Sequence, residues 1–199
     1  GYQTFFYGKM GEVTENIRTF VLPNEGQPYT FTMDYNYDSW NRVQSMTYPD
    51  GEIVSYAYNR GGMLNRVTGT KGAQNFVYVD STAYNRYEKK AYVKYGNGTQ
   101  TRYAYDILLR LDSLKSYTSA GQAMQNIKYT YDNVSNITEI ANAAGALSNG
   151  LGGSYDNQYT YDNLYRLTSS TGTWNGIGTP TCTYSLNMNY EQNGRIQLK

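Results

Sequence analysis

Histidine is absent from this chain of 199 residues, and cysteine occurs once, as Cys182. The first absence excludes every Ser-His-Asp and Cys-His mechanism and every His-containing zinc site. The second excludes an intrachain disulfide, which fits the cytosol or a bacterial surface protein whose fold needs no staples. Charge of one sign is also missing: 17 Lys plus Arg against 16 Asp plus Glu leave a net charge of +1. That balance excludes the basic stripe of a nucleic-acid binder. No apolar run is long enough to cross a bilayer as a helix. No signal-peptide pattern is visible and the sequence begins with Gly1 rather than Met, so the expectation is a piece of a longer protein or a processed product. Without a glycine-rich phosphate loop or a metal-ligand cluster, the further expectation is no cofactor and no enzyme.

Tyrosine fills the gap left by sparse Leu, Ile, Val and Phe, with 24 residues. Low aliphatic content alone would point to disorder. A tyrosine ring, however, buries a large apolar face while its hydroxyl is satisfied at the rim. Tyr, Thr and Val dominate the repeated segments, and these residues favour strands.

The tyrosines recur in register. Tyr35-Asn36-Tyr37-Asp38 returns as Tyr103-Ala104-Tyr105-Asp106, as Tyr129-Thr130-Tyr131-Asp132 and as Tyr159-Thr160-Tyr161-Asp162, with Tyr56-Ala57-Tyr58-Asn59 a close variant. An aliphatic residue follows each second tyrosine by six positions: Val43, Leu64, Leu111, Ile137 and Leu167. Weaker copies join Tyr7 to Val13 and Tyr190 to Ile196, and an eighth, near Tyr78, is blurred. Repetition at this period marks an array of small supersecondary units.

Within a unit, tyrosines two apart share one face of a strand. The following Asp reads as an Asx-turn residue that accepts local N–H bonds. Four positions after the second tyrosine stand Asn41, Gly11, Gly62 and Gly194, residue types that tolerate a left-handed backbone. Leu109, Ser135 and Tyr165 break that rule, which predicts different turns there. A second set of turns, Tyr48-Pro49-Asp50-Gly51 and Tyr95-Gly96-Asn97-Gly98, separates the units. The first predicts strands at Val43–Thr47 and Glu52–Tyr58. Two strands and two turns per unit predict an all-β antiparallel meander in a curved sheet. Asp106–Ser119 comes nearest to a helical period, and the repeat register overrides it. Residues 145–157 and 172–180 read as loops. Cys182 reads as a small buried strand residue. No separate domain boundary is visible in residues 1–199.

These motifs resemble the YD repeats of bacterial RHS proteins, toxin-complex C subunits and animal teneurins. The matching core is Tyr-x-Tyr-Asp, two or three variable residues, Gly or Asn, Arg and an aliphatic residue. Tyr190-Glu191-Gln192-Asn193-Gly194-Arg195-Ile196 fits it with Glu for Asp, and Tyr7-Gly8-Lys9-Met10-Gly11-Glu12-Val13 is similar to a variant within bacterial cores. The resemblance covers essentially the whole chain. It implies a β-ribbon wound into a hollow shell that encloses a C-terminal toxic polypeptide, or that lies in a surface adhesion protein. Bacterial cores end in an Asp-Pro-containing cleavage segment. Here Pro23, Pro28, Pro49 and Pro180 follow Leu22, Gln27, Tyr48 and Thr179, so that chemistry is not expected in this piece. The resemblance carries over no catalytic residue.

Each repeated feature has a sharp reading and a plain one. Asp38, Asp106, Asp132 and Asp162 could be glycosidase carboxylates, but equivalent positions of successive repeats lie along one sheet edge, so local turn bonding is preferred. The tyrosine rows could stack sugars, and a cross-strand ladder is the better reading. Arg42, Arg110, Arg166 and Arg195 could hold an acidic cargo, and pairing with a turn Asp or stacking on a tyrosine is preferred. Trp40 and Trp174, placed at turns or loops, are the candidate ligand contacts. Two functions follow: a secreted or surface-displayed bacterial shell segment, or a carbohydrate- or partner-binding adhesion module. The expected partners are flanking repeats or identical chains, an enclosed toxin polypeptide, or carbohydrate, with neither nucleic acid nor a membrane span. Alone, the segment is expected to need one of those partners to stay soluble.

Overall fold

The computed structural model describes residues 1–23, 26–147, 150–176 and 181–197. Among them no helix occurs, and every regular element is a strand. Two compact units divide the chain, Gly1–Asn97 and Gly98–Lys199. The first unit holds β1 (Tyr2–Tyr7), β2 (Val13–Val21), β3 (Pro28–Tyr37), β4 (Val43–Thr47), β5 (Ile53–Tyr58), β6 (Leu64–Lys71), β7 (Gln74–Tyr84) and β8 (Lys90–Tyr95). The second holds β9 (Gln100–Tyr105), β10 (Leu111–Tyr117), β11 (Ala123–Tyr131), β12 (Ile137–Asn142), β13 (Ser154–Tyr161), β14 (Leu167–Asn175) and β15 (Cys182–Asn187). In each unit every strand pairs antiparallel with its neighbour in sequence. A meander therefore places all tyrosine-carrying turns along one edge and the remaining turns along the other.

Two faces of each sheet differ in cover. On β11, Ile127 is buried and Tyr129 and Tyr131 are half-buried, whereas the alternating Lys128 and Thr130 are exposed. Val54, Tyr56 and Tyr58 on β5, and Thr101, Tyr103 and Tyr105 on β9, repeat the pattern. Tyr35 and Tyr37, and Tyr159 and Tyr161, are likewise half-buried. The interior is thin and polar. Buried apolar residues are Val54, Val93, Ile127 and Ala144; Thr19, Thr82, Thr101, Ser116, Asn142 and Ser170 are buried beside them. Their hydroxyls pair across strands, as between Thr101 and the facing Ser116 at 3.1 Å. Tyr56 closes its own contact by donating to Met46 Sδ at 3.3 Å.

Asp106–Ser119, where the repeat register overrides a helical period, is a turn followed by β10. Other expectations need correction. Ser154–Asn157 and Gly172–Asn175 are strand, not loop, because they pair with each other in register. Residues 177–180, the rest of the second loop, lie outside the described residues. Cys182 does lie on a strand, but it is exposed, since β15 is covered on neither face.

Candidate functional site: the junction between repeats

The six-residue spacing has a geometric cause. Tyr37 pairs with Val43, Tyr58 with Leu64, Tyr131 with Ile137 and Tyr161 with Leu167, each directly across a turn. In all four the register slips by one residue just before the tyrosine, which is a β-bulge. Asp38 N–H donates to Arg42 O at 2.9 Å and Asn41 N–H to Asp38 O at 3.0 Å, closing a tight turn. The fourth turn residue is left-handed: φ is 57° at Asn41 and 83° at Gly11, Gly62 and Gly194. Leu109, Ser135 and Tyr165 adopt the same conformation, at 61°, 73° and 61°. Those turns do not differ, contrary to the sequence expectation; the side chain simply stands where glycine would be cheaper.

The Asp side chain holds the turn from inside. Asp38 Oδ1 accepts from Trp40 N–H at 2.9 Å and Arg42 N–H at 3.0 Å. Asp106, Asp132 and Asp162 do the same, and Asn59 and Asn85 reproduce it with an amide oxygen. The second carboxylate oxygen takes Arg Nε, at 2.7 Å for Asp38–Arg42, 2.6 Å for Asp106–Arg110 and 2.7 Å for Asp162–Arg166. Asn136 replaces the arginine opposite Asp132, at 2.8 Å. The Arg42 side chain, then the turn N–H groups, hold the Asp38 carboxyl below the ordinary range despite some desolvation. Every oxygen of these carboxylates is thus engaged within its own turn, which disfavours acid–base work on a substrate.

A second set of contacts joins one repeat to the next. Arg42 lies 4.2 Å from the ring centre of Tyr58, Arg110 4.3 Å from that of Tyr131, and Arg166 4.4 Å from that of Tyr190. In each case the ring is the second tyrosine of the following repeat. Its hydroxyl reaches back to the aliphatic residue beside the same arginine. Tyr58 donates to Val43 O at 2.7 Å, Tyr131 to Leu111 O at 2.7 Å and Tyr190 to Leu167 O at 2.8 Å. Tyr37 and Tyr161 donate to Val13 O and Ile137 O in the same manner. The junction is an Asp–Arg–Tyr relay that fixes the stagger of neighbouring hairpins. Burial raises the phenol pKa of Tyr37, Tyr58, Tyr131 and Tyr161. Their stabilisation is therefore complete below the ordinary phenol range and is lost as pH rises through the folded values.

Tyr84 also belongs to the series, donating to Leu64 O at 2.7 Å, although its repeat escaped the sequence reading. Thr82 stands for the first tyrosine, Asn85 for Asp, Glu88 for Gly and Lys89-Lys90 for Arg-aliphatic. The blurred copy is thus centred on Tyr84 rather than Tyr78. The left-handed φ of 61° at Glu88, the paired turn bonds and the bulged pairing of Tyr84 with Lys90 reveal it too.

Relay arginines also probe the next turn. Arg110 Nη1 donates to Ser135 Oγ at 3.0 Å and to Asp132 O at 3.3 Å. Arg42 Nη1 is buried without a partner, because the matching position is Gly62. A Cβ on Gly62 would stand 3.2 Å from that nitrogen. Gly62→Val should destabilise the fold by about 1 kcal/mol or more through the left-handed backbone alone. Gly194→Val should act the same way, and urea melts of both variants check it; unchanged midpoints for the pair would show the turn to be misread.

The two tryptophans part company. Trp40 caps its turn, 68 % exposed, with Arg42 4.6 Å from its ring centre. Trp174 sits on β14 opposite Cys182, on a strand rather than a loop. Among the described residues no group of three His, Cys, Asp or Glu side chains could hold a metal ion.

Comparison with known proteins follows the same repeat. The family model described as RHS Repeat matches residues 37–74, which span the relay from Tyr37 through Tyr58. Toxin subunit YenC1 of Yersinia entomophaga is 30 % identical over 154 residues, 73 % of this chain and 16 % of that protein. Toxin subunit YenC2 of the same organism is 28 % identical over 131 residues, 61 % of this chain and 14 % of its own length. The chain therefore spans about a sixth of the curated relatives it matches. Its fold is similar to a solved TcdB2-TccC3-Cdc42 assembly, with a TM-score of 0.83, 24 % identity, and 96 % of this chain and 11 % of that one covered. A Photorhabdus luminescens Tc holotoxin pore gives a TM-score of 0.81 at 24 % identity, covering 94 % of this chain and 10 % of that one.

Proposed function

The chain is a YD-repeat (RHS-repeat) protein, and on that premise we propose that it is a wall segment of a secreted or surface-displayed bacterial shell. The wall encloses or presents another polypeptide, such as a C-terminal toxin. The observation that supports this reading is the relay. It spends the charged and aromatic residues of each repeat on fixing the next one, which is the economy of a scaffold. The tyrosine face of each unit is only half-buried, and among the described residues no second layer of secondary structure lies on it within the unit. A single-layer sheet of this kind is stable when something further covers that face. The match to toxin subunits over most of the chain supports the class of cargo.

Limited proteolysis of the intact protein tests the proposal. The polypeptide that follows the repeats should resist cleavage while the repeats are folded. It should become sensitive when a relay residue is removed, as in Tyr131→Ala. Equal sensitivity before and after that substitution would refute enclosure.

A further inference from the structure

The sheet of the unit 1–97 has a step in it. On the side away from the tyrosine-carrying turns, Asp34 pairs with Thr47, Thr47 with Ile53, Ile53 with Thr70 and Thr70 with Asn75. Only Lys71–Gln74 pairs beyond that row on β6 and β7. β3 runs on past the row from Met33 back to Pro28, roughly 20 Å at strand rise. β2 and β1 rise beside it, through the pairs Thr19–Thr30 and Tyr2–Thr19. β4 has turned away at Tyr48, so among the described residues no strand meets Thr30–Met33 on their outer side.

The direction of the backbone groups follows from the turn below. Asp38 N–H points at β4, where it reaches Arg42 O, and two-residue alternation gives Thr32 and Thr30 the same direction. Their N–H and C=O groups therefore lie along an open strand edge. Repeats added before β1 or after β15 would extend the sheet at its ends and leave this internal edge as it is. Open edges are ordinarily blunted by a charge or a bulge, and Thr30–Met33 has neither. One face of the step is aromatic as well. Phe20 stacks on Tyr29 at 6.1 Å and on Phe31 at 5.5 Å between ring centres, and Tyr29 and Phe31 are exposed. An open edge beside such a cluster accepts an added strand.

We propose that β3 pairs antiparallel with β3 of a second copy, about a two-fold axis at Thr30. Thr30 then exchanges two backbone hydrogen bonds with the copy's Thr30. Phe31 lies opposite the copy's Tyr29, and Tyr29 opposite the copy's Phe31, so the two aromatic faces join. Thr32 N–H meets the carbonyl of the copy's Pro28, a residue with no N–H of its own to leave unpaired. No charged side chain lies within the paired segment, so like charges do not meet. Sliding the copy toward β4 is stopped by the turn Tyr48–Gly51, and sliding it away gives up the pair at Thr32. The same edge serves both chains, and the contact closes at two. That self-complementarity selects a second copy over an unrelated extended peptide. The inference goes beyond the shell reading and does not depend on it.

Cross-linking of the whole chain tests it. All chains compared carry Cys182→Ser, and Phe5→Lys with Leu186→Lys to blunt the outer edges of β1 and β15. Opposed Cα atoms of a hydrogen-bonded pair stand about 5.5 Å apart, within disulfide reach. With oxidised glutathione as electron acceptor, chains carrying Thr30→Cys should cross-link to one another at least about tenfold faster than chains carrying Thr32→Cys, whose two sites lie roughly 13 Å apart along the strands. A non-reducing denaturing gel reads this in soluble and insoluble material alike. Thr30→Cys gives up the hydroxyl contact with Thr19 at 3.1 Å. If that variant loses its fold, mixing chains carrying Phe31→Cys with chains carrying Tyr29→Cys reads the same register. Phe31→Lys should weaken dimerisation by about tenfold or more in sedimentation velocity. Equal cross-linking at positions 30 and 32, an unchanged dissociation constant for Phe31→Lys, or a parent chain that stays monomeric throughout would each overturn the proposal.

Discussion

Tyr131→Ala is expected to lower stability by about 2–3 kcal/mol, and Tyr131→Phe by about 1 kcal/mol. The larger figure is set below that for a fully buried ring because Tyr131 is half-buried. Three interactions end with the ring: cross-strand packing on Ile137, the stack under Arg110, and the hydroxyl bond to Leu111 O. Phenylalanine keeps the first two and leaves the Leu111 carbonyl without that donor. Thr130→Ala, one residue away on the exposed face, should stay within about 0.5 kcal/mol of the parent. Because each repeat is tied mainly to its neighbours, the Ala variant should also melt less cooperatively, as units on either side of the break separate. Urea denaturation followed by far-ultraviolet circular dichroism measures both effects. An Ala variant as stable as Thr130→Ala would mean that the relay is a crystal-like ornament of packing rather than the tie between repeats.

The sequence made the unit legible but not its junction. Period-two tyrosines, turn residues and the six-residue offset place the strands, and Val43–Thr47 is reproduced residue for residue. The offset itself could not be interpreted without the bulge, which turns a spacing into a cross-strand pair. The relay was half visible. Asp and Arg lie four apart at three copies, Asp38–Arg42, Asp106–Arg110 and Asp162–Arg166, so their pairing is a local matter. The tyrosine each arginine covers belongs to the next repeat, and its bond back to the chain spans 15, 20 or 23 residues. No fixed offset exists for a reader to find, because the second strand pair of each unit varies in length.

The left-handed turn position was legible at Asn41, Gly11, Gly62 and Gly194 but not at the three other copies, for a related reason. Glycine or asparagine marks the conformation where the residue itself chooses it. At Leu109, Ser135 and Tyr165 the choice is made by the turn instead. Asp Oδ1 holds two N–H groups, and Arg or Asn clamps Oδ2, so the fourth residue is carried into a costly region by its neighbours. Exposure misled in the same way at Cys182. Alternation with Thr183 and Tyr184 places it on a strand, but burial depends on what covers that strand, which local sequence does not encode.

Acid should release the turns before it affects the strands between them. The four turn carboxyls are all held below the ordinary carboxylate range, each by its own balance. At Asp38 the Arg42 side chain dominates, and at Asp162 the Arg166 backbone N–H does. At Asp106 and Asp132 desolvation is the largest single influence and pushes upward, but the hydrogen bonds from Arg110 and from Asn136 and its neighbours together outweigh it. A depressed folded pKa means that the unfolded chain binds more protons in the window between the two values. Stability from these groups is then complete above the ordinary carboxylate range, falls as pH drops through that window, and is gone below the folded values. Salt should reduce the effect, since the arginine partners are partly exposed. The turns at Asn59 and Asn85 supply the internal control, holding the same N–H groups with an amide that does not titrate in this range. Converting the others to that type, as Asp106→Asn with Asp162→Asn, should lower stability at neutral pH by weakening the arginine clamps. The same change should flatten the dependence of the urea midpoint on pH between about 7 and about 3. A double variant whose midpoint still falls as steeply as the parent's would place the acid sensitivity elsewhere in the sheet. A flattened profile would show that charge on the turn aspartates secures the junctions, while their amide equivalents keep only the turn.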